Sequence, residues 1–167
     1  MSNYYFTKTS SLSIFYLTSF QGKDMLNKYD QIFTFSSIYQ WFLFNKALLF
    51  NYDDIASEIL EKNQINDLKK LDKKIIRVNK FTWDIWENIV LNKGIRLFYS
   101  QNDKLRENLI GTYPKKLIYV SKDEHLGVNI NGVDFGNKKK WKGENILGNL
   151  LIKNREFFIN ELIKIEL

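Results

Sequence analysis

Apolar residues along this chain recur mostly at helical spacing, broken by a few short runs that cluster as strands do. Three runs read as strands: residues 12–17, 31–35 and 117–120, the last setting Leu117, Ile118 and Val120 around Tyr119. Ser36 or Ser37 caps a helix running to about Leu49, in which Ile38, Trp41, Phe42, Leu48 and Leu49 fall at helical spacing. Asn51 or Asp53 starts a short second helix through Leu60, and Asn66 begins another near Leu68. Thr82 caps a long helix from Trp83 to about Phe98, and Asn102 opens one that ends near Gly111. A last helix runs from Asn145 to about Ile165 on a stripe of Leu147, Leu150, Leu151, Phe158 and Leu162. Several helices and few strands predict an α+β fold, helix-rich, with a small sheet.

One proline and eight glycines leave no linker to divide the chain, and no internal repeat is visible, so the expectation is a single domain over residues 1–167. With 44% apolar and 16% aromatic residues, a chain of 167 residues can bury a substantial core. Cysteine is absent, which removes disulfides, thiolate catalysis and every cysteine-based metal site. A single histidine, His125, does not make a histidine-rich centre; a carboxylate-held ion stays open but nothing demands it, and the expectation is a protein without metal or cofactor. The longest apolar runs, 41–44 and 47–50, fall far short of the roughly 20 residues of a membrane span. Residues 1–10 lack the charged start, apolar stretch and small-residue cleavage site of a secretory signal, and a cytoplasmic location follows as the expectation.

A formal charge of +6 favours anionic partners such as nucleotides, phosphosugars or nucleic acid, although an Asn-, Ile- and Lys-rich composition accounts for much of it. The sharpest local signal is the segment 141–148, where a loop containing Gly143 enters a helix behind Lys138, Lys139 and Lys140. The free N–H groups and positive dipole end of such a helix start can receive a phosphate, with Trp141 offering a stacking face. The same residues also fit an ordinary N-cap with a core tryptophan. A second candidate is the turn 121–127, where Asp123, Glu124 and His125 leave a strand end. A carboxylate there could stabilise charge developing on a ribose, or it could belong to a solvated turn. On the helix after Ser37, Tyr39 and Lys46 lie two turns apart on one face. Lys46 suits phosphate binding, or nucleophilic attack if desolvated, or simply a stem covering core surface. Trp83, taken alone, reads as core. No phosphate-binding P-loop, serine-hydrolase elbow or kinase signature occurs.

Taken in order, these segments resemble the NADAR (NAD and ADP-ribose related, YbiA-like) family from about Phe15 to Arg155. The family's L-S-N-F-like segment is similar to Leu17, Thr18, Ser19 and Phe20, and its S-V-E-H-Y-Y-Q-A-x-K helix to the run from Ser37 to Lys46. Its tryptophan-led helix and Q-N-x-x-L turn resemble Trp83 onward and Gln101, Asn102 and Leu105. Its T-G, L-V-E-x-S and D-x-x-W-G elements resemble Thr112, Leu117, Ser121 and the run Asp123 to Gly127, and its closing W-x-G-x-N-x-L-G-x-x-L-M-x-x-R is nearly complete from Trp141 to Arg155.

The resemblance implies cleavage of an N-glycosidic bond, in phosphoribosyl intermediates of riboflavin synthesis or in ADP-ribosylated guanine. It implies catalytic roles at Lys46, Asp123 and position 39, and ligand contacts at Ser19, Phe20, Ser37, Trp83, Gly127, Trp141, Gly143, Asn145 and Gly148. The family glutamate falls on Tyr39, its neighbouring histidine on Gln40, and the tryptophan of D-x-x-W-G on Leu126. A tyrosine near its usual pKa of roughly 10 supplies no negative charge at neutral pH. The expectation is therefore a protein that binds an ADP-ribose-like or ribosyl-phosphate nucleotide with weak or no turnover. The alternatives are an active N-glycosidase and, from the positive charge, a nucleic-acid-binding module with ADP-ribosylated DNA as its target.

Overall fold

The computed structural model describes residues 2–130 and 137–166. They divide into two compact units, one within the bounds Met1–Ser13 and Asp103–Leu167 and the other within Ile14–Asn102.

The second unit is organised around helix α1 (Ile38–Leu49). Ser37 caps it, its hydroxyl accepting the Gln40 N–H at 3.1 Å. Ten of its twelve residues, from Ile38 to Asn45 with Ala47 and Leu48, are buried. That is what a helix apolar on all sides requires, and each fully buried large side chain contributes about 1.5–3 kcal/mol. Helices α2 (Asp53–Leu60) and α3 (Ile65–Asp72) pack on it, as does the long α4 (Lys80–Gln101). Trp41 is fully buried and its indole N–H donates to the Val90 carbonyl of α4 at 3.0 Å. Two three-residue strands, β1 (Phe20–Gly22) and β2 (Phe33–Phe35), pair antiparallel beside it.

In the first unit, strand β3 (Asn3–Phe6) pairs in parallel with β4 (Lys116–Tyr119), Asn3 facing Lys116 and Phe6 facing Tyr119. Helices α5 (Asp103–Ile110) and α6 (Ile146–Glu166) complete it, α6 lying on both α5 and β4. Arg155 of α6 is buried, and its guanidinium donates to Thr112 Oγ1 at 2.9 Å and to the Lys115 carbonyl at 2.8 Å.

The class is α+β and helix-rich, with its strands divided between two two-stranded sheets. The run 12–17 is not a strand: it passes through turns, with Ser13 N–H on the Ser10 carbonyl at 3.0 Å and Leu12 N–H on Ser10 Oγ at 3.2 Å. Local serine hydrogen bonds out-compete a ladder there. The run 31–35 shortens to Phe33–Phe35, and 117–120 shifts by one to Lys116–Tyr119. Helix α4 starts three residues before Trp83, because Asn79 is its cap and accepts the Thr82 N–H at 2.9 Å. Strands Asn3–Phe6 and Phe20–Gly22 were not foreseen.

Candidate functional site

In the Ile14–Asn102 unit, α1 presents Tyr39, Phe42 and Lys46 at positions i, i+3 and i+7, one face of the helix. The Lys46 ammonium lies 2.7 Å from Oδ1 of Asp72, the last residue of α3. It also lies 5.4 Å from the centroid of the Trp83 ring, which packs on Phe42 at 5.2 Å. The Lys46 side chain is 15% exposed and that of Asp72 is 34% exposed, so the carboxylate is the more accessible half of the pair. Tyr39 is buried, with Phe15 edge-on at 4.8 Å and the Lys69 ammonium above Phe15 at 5.5 Å. Burial, and secondarily the Asp72 charge, push the Tyr39 phenol well above its ordinary pKa. It is a neutral hydroxyl at physiological pH and does not replace a carboxylate.

The other ligand candidates of this unit have structural duties. Phe20 is enclosed by Phe35, Phe98 and Trp41, with ring centroids at 5.6, 5.6 and 6.4 Å. Ser37 is the buried helix cap described above. Ser19 gives its carbonyl to the Asn102 amide at 3.3 Å and lines a cavity of about 200 Å³ together with Ser36, Gln40 and Lys62. Gln40, at the family histidine position, donates to the carbonyls of Ile59 (2.8 Å) and Lys62 (2.6 Å), tying α1 to the end of α2.

In the other unit, the turn 123–127 and the loop 143–147 bond to each other. The N–H groups of Glu144, Asn145, Ile146 and Leu147 donate to the carbonyls of Glu124 (2.7 Å), Gly127 (3.2 Å), His125 (3.4 Å) and Leu126 (3.0 Å). The α6 start is therefore plugged from within the chain. These N–H groups are satisfied without a phosphate, which corrects the expectation of an open, anion-receiving entrance. Asn145 does hold the N-cap position, its carbonyl accepting the Asn149 N–H at 3.0 Å, but its side chain turns to β4. It sits in the left-handed region at φ 54°, accepting the Tyr119 N–H at 3.0 Å and donating to the Leu117 carbonyl at 2.9 Å.

The glycines serve this latch. Gly143 has φ 135°, and a Cβ there would strike the Gly127 carbonyl. A Cβ on Gly127 would come within 2.9 Å of Ser121, and one on Gly148 would run into the Leu117 carbonyl. Asp123 is exposed, and its Oδ1 accepts the N–H groups of His125 (3.0 Å) and Leu126 (3.1 Å). His125 Nδ1 lies 3.1 Å from Glu144. A cleft of about 410 Å³ opens beside the latch, lined by Lys116, Lys138, Trp141, Gly143, Asn145 and Asn149. Tyr5 meets the Trp141 ring edge-on at 5.8 Å.

The structure thus gathers Tyr39, Lys46 and Trp83 in one unit, and Trp141, Gly143 and Asn145 around a cleft in the other. Asp72, Phe15 and Lys69 were missed by sequence reasoning. Asp72 belongs to no motif, and only the phase of α3, whose Leu68 and Leu71 are buried, hints that its neighbour faces α1. Among the described residues no group of three or more metal-binding side chains comes together, and no helix is long and apolar enough to cross a membrane.

An α+β fold carrying a lysine on a buried helix, and a W-x-G-x-N-x-L-G latch on its last helix, defines the class of protein. The chain belongs to the NADAR domain family, whose model matches residues 4–158. It is 29% identical over 137 residues to the N-glycosidase R617 of Acanthamoeba polyphaga mimivirus, covering 80% of each chain. It is 28% identical over 155 residues to Protein irg-1 of Caenorhabditis elegans, covering 86% of this chain and 73% of that one. The solved structure of the E. coli protein YbiA shares the fold, with a TM-score of 0.69 at 23% identity, over 98% of this chain and 89% of that one.

Proposed function

We propose that this protein binds an ADP-ribose-like or ribosyl-phosphate nucleotide, with weak or no turnover, and so sequesters or senses that nucleotide in the cytoplasm. The observation that carries the reading is the Lys46 group. A lysine fixed by Asp72 over Trp83 offers a cation and an aromatic wall to a phosphate-bearing ligand, while position 39 holds a neutral, buried phenol. Losing one positioned acid–base group lowers a rate by about 100- to 10,000-fold. The decisive experiment is calorimetric titration with ADP-ribose, followed by chromatography of ADP-ribosylated guanosine before and after incubation. Saturable ADP-ribose binding without release of base is the expected result; no binding, or rapid release, overturns it.

A second reading, active N-glycosidase, is favoured by the likeness to a relative named as one. In it a carboxylate, Asp123, stabilises the ribosyl cation that forms on ADP-ribosylated guanine, free or in nucleic acid, or on a ribosylamino-pyrimidine phosphate. Base release in the same chromatogram separates the two readings.

A further inference from the structure

We propose that Asp72 is the specificity-determining residue of the Lys46 site, reserving it for ligands that present a hydroxyl beside their anionic group; this rests on the nucleotide-binding reading above. Lysine has three ammonium donors and a flexible four-carbon stem, so it grips any phosphate indiscriminately unless something fixes it. Here Asp72 Oδ1 takes one donor at 2.7 Å, and the Trp83 ring at 5.4 Å limits where the ammonium can go. Two donors remain for a ligand, and their directions are set by the first.

The same ion pair places a negative charge next to any ligand atom that Lys46 holds. A bare polyphosphate reaching the ammonium meets the Asp72 carboxylate within a few ångströms and is repelled. A ribosyl phosphate does not, because a sugar hydroxyl can donate to the carboxylate, which is acceptor-only when ionised, while the phosphate takes the lysine. Acidic side chains hold ribose hydroxyls in dinucleotide sites by this chemistry. The partial exposure of Asp72 leaves it reachable, and the Tyr39 phenol, buried and neutral beside it, adds no competing charge.

The test is calorimetric titration of the full chain with ADP-ribose and, separately, with inorganic pyrophosphate, in wild type, Asp72→Asn and Asp72→Glu. Asp72→Asn keeps the shape and removes the charge. It is expected to weaken ADP-ribose binding by about tenfold while strengthening pyrophosphate binding by about as much, and Asp72→Glu is expected to restore the wild-type order. A purely structural role would lower both affinities together with the thermal midpoint. Affinities that move in the same direction, or no gain of pyrophosphate binding, overturn the proposal. If wild type fails to bind ADP-ribose, the nucleotide reading falls, and the pyrophosphate titration alone still decides whether Asp72 excludes bare anions. Should Asp72→Asn fail to fold, Asp72→Ser carries the same comparison.

Discussion

The indole of Trp41 occupies the space that a side chain on Gly94 would need. A Cβ at position 94 would collide with Cδ1 of that ring and lie 2.8 Å from its Nε1. Trp41 is fully buried and its N–H is committed to the Val90 carbonyl, so it has no room to retreat. Gly94→Ala is therefore expected to destabilise the protein by about 1–3 kcal/mol, against the usual benefit of alanine inside a helix. Urea unfolding followed by tryptophan fluorescence checks this; a midpoint at or above that of wild type would show that α1 and α4 do not approach as described.

Asn145 distinguishes a ligand residue from a structural one. Its amide satisfies one N–H and one carbonyl of β4, and its backbone adopts a positive φ that asparagine tolerates better than alanine. Asn145→Ala leaves both β4 groups unpartnered, at about 1–3 kcal/mol for each group denied water. The expected result is a clear loss of thermal stability with little change in ADP-ribose affinity for the protein that remains folded. Lost affinity with unchanged stability would return Asn145 to the ligand.

The run of apolar residues behind Ser37 was readable as a helix because the hydroxyl cap and the hydrophobic block agree. The strand Asn3–Phe6 was not, since its partner in the sheet lies beyond residue 115 and nothing local announces it. Residues 12–17 misled for the opposite reason: they are apolar, with Leu12 and Ile14 buried, yet local serine hydrogen bonds bend the backbone into turns. At the site, the W-x-G-x-N motif was legible while its physical role was inverted. Spacing alone does not show that the carbonyls of residues 124–127 already fill the helix entrance. Asp72 was invisible because its partner, Lys46, is 26 residues away on another helix.

Burial raises the phenols of Tyr39, Tyr99 and Tyr119 above the ordinary tyrosine range. In the unfolded chain all nine tyrosines ionise near 10. Between that value and their raised folded values, the folded state holds protons that the unfolded state has released. These groups leave stability unchanged below about pH 10, and stability then falls as pH rises, by up to about 1.4 kcal/mol per pH unit for each group. Urea midpoints between pH 8 and pH 11 are expected to hold and then drop. Tyr39→Phe, measured relative to its own pH 8 value, is expected to make that drop shallower. An equally steep drop in the variant would show that Tyr39 ionises freely in the folded protein.

Asp123 allows the two functional readings to be separated by a change of one atom. Its Oδ1 accepts two backbone N–H groups that close the turn before Gly127, a geometry in which an asparagine oxygen can stand without the charge. Asp123→Asn is therefore expected to change stability by less than about 1 kcal/mol, whereas Asp123→Ala frees both N–H groups in an exposed turn and loosens it. If the protein is an N-glycosidase that uses this carboxylate to stabilise a ribosyl cation, Asp123→Asn lowers base release by about 100-fold or more while the fold survives. If the protein only binds, ADP-ribose affinity is expected to stay within a few-fold of wild type in the same variant, and no base appears with either. Measurable cleavage that proceeds equally fast in Asp123→Asn removes Asp123 from the chemistry. The carboxylate of the reaction would then have to come from elsewhere in the chain.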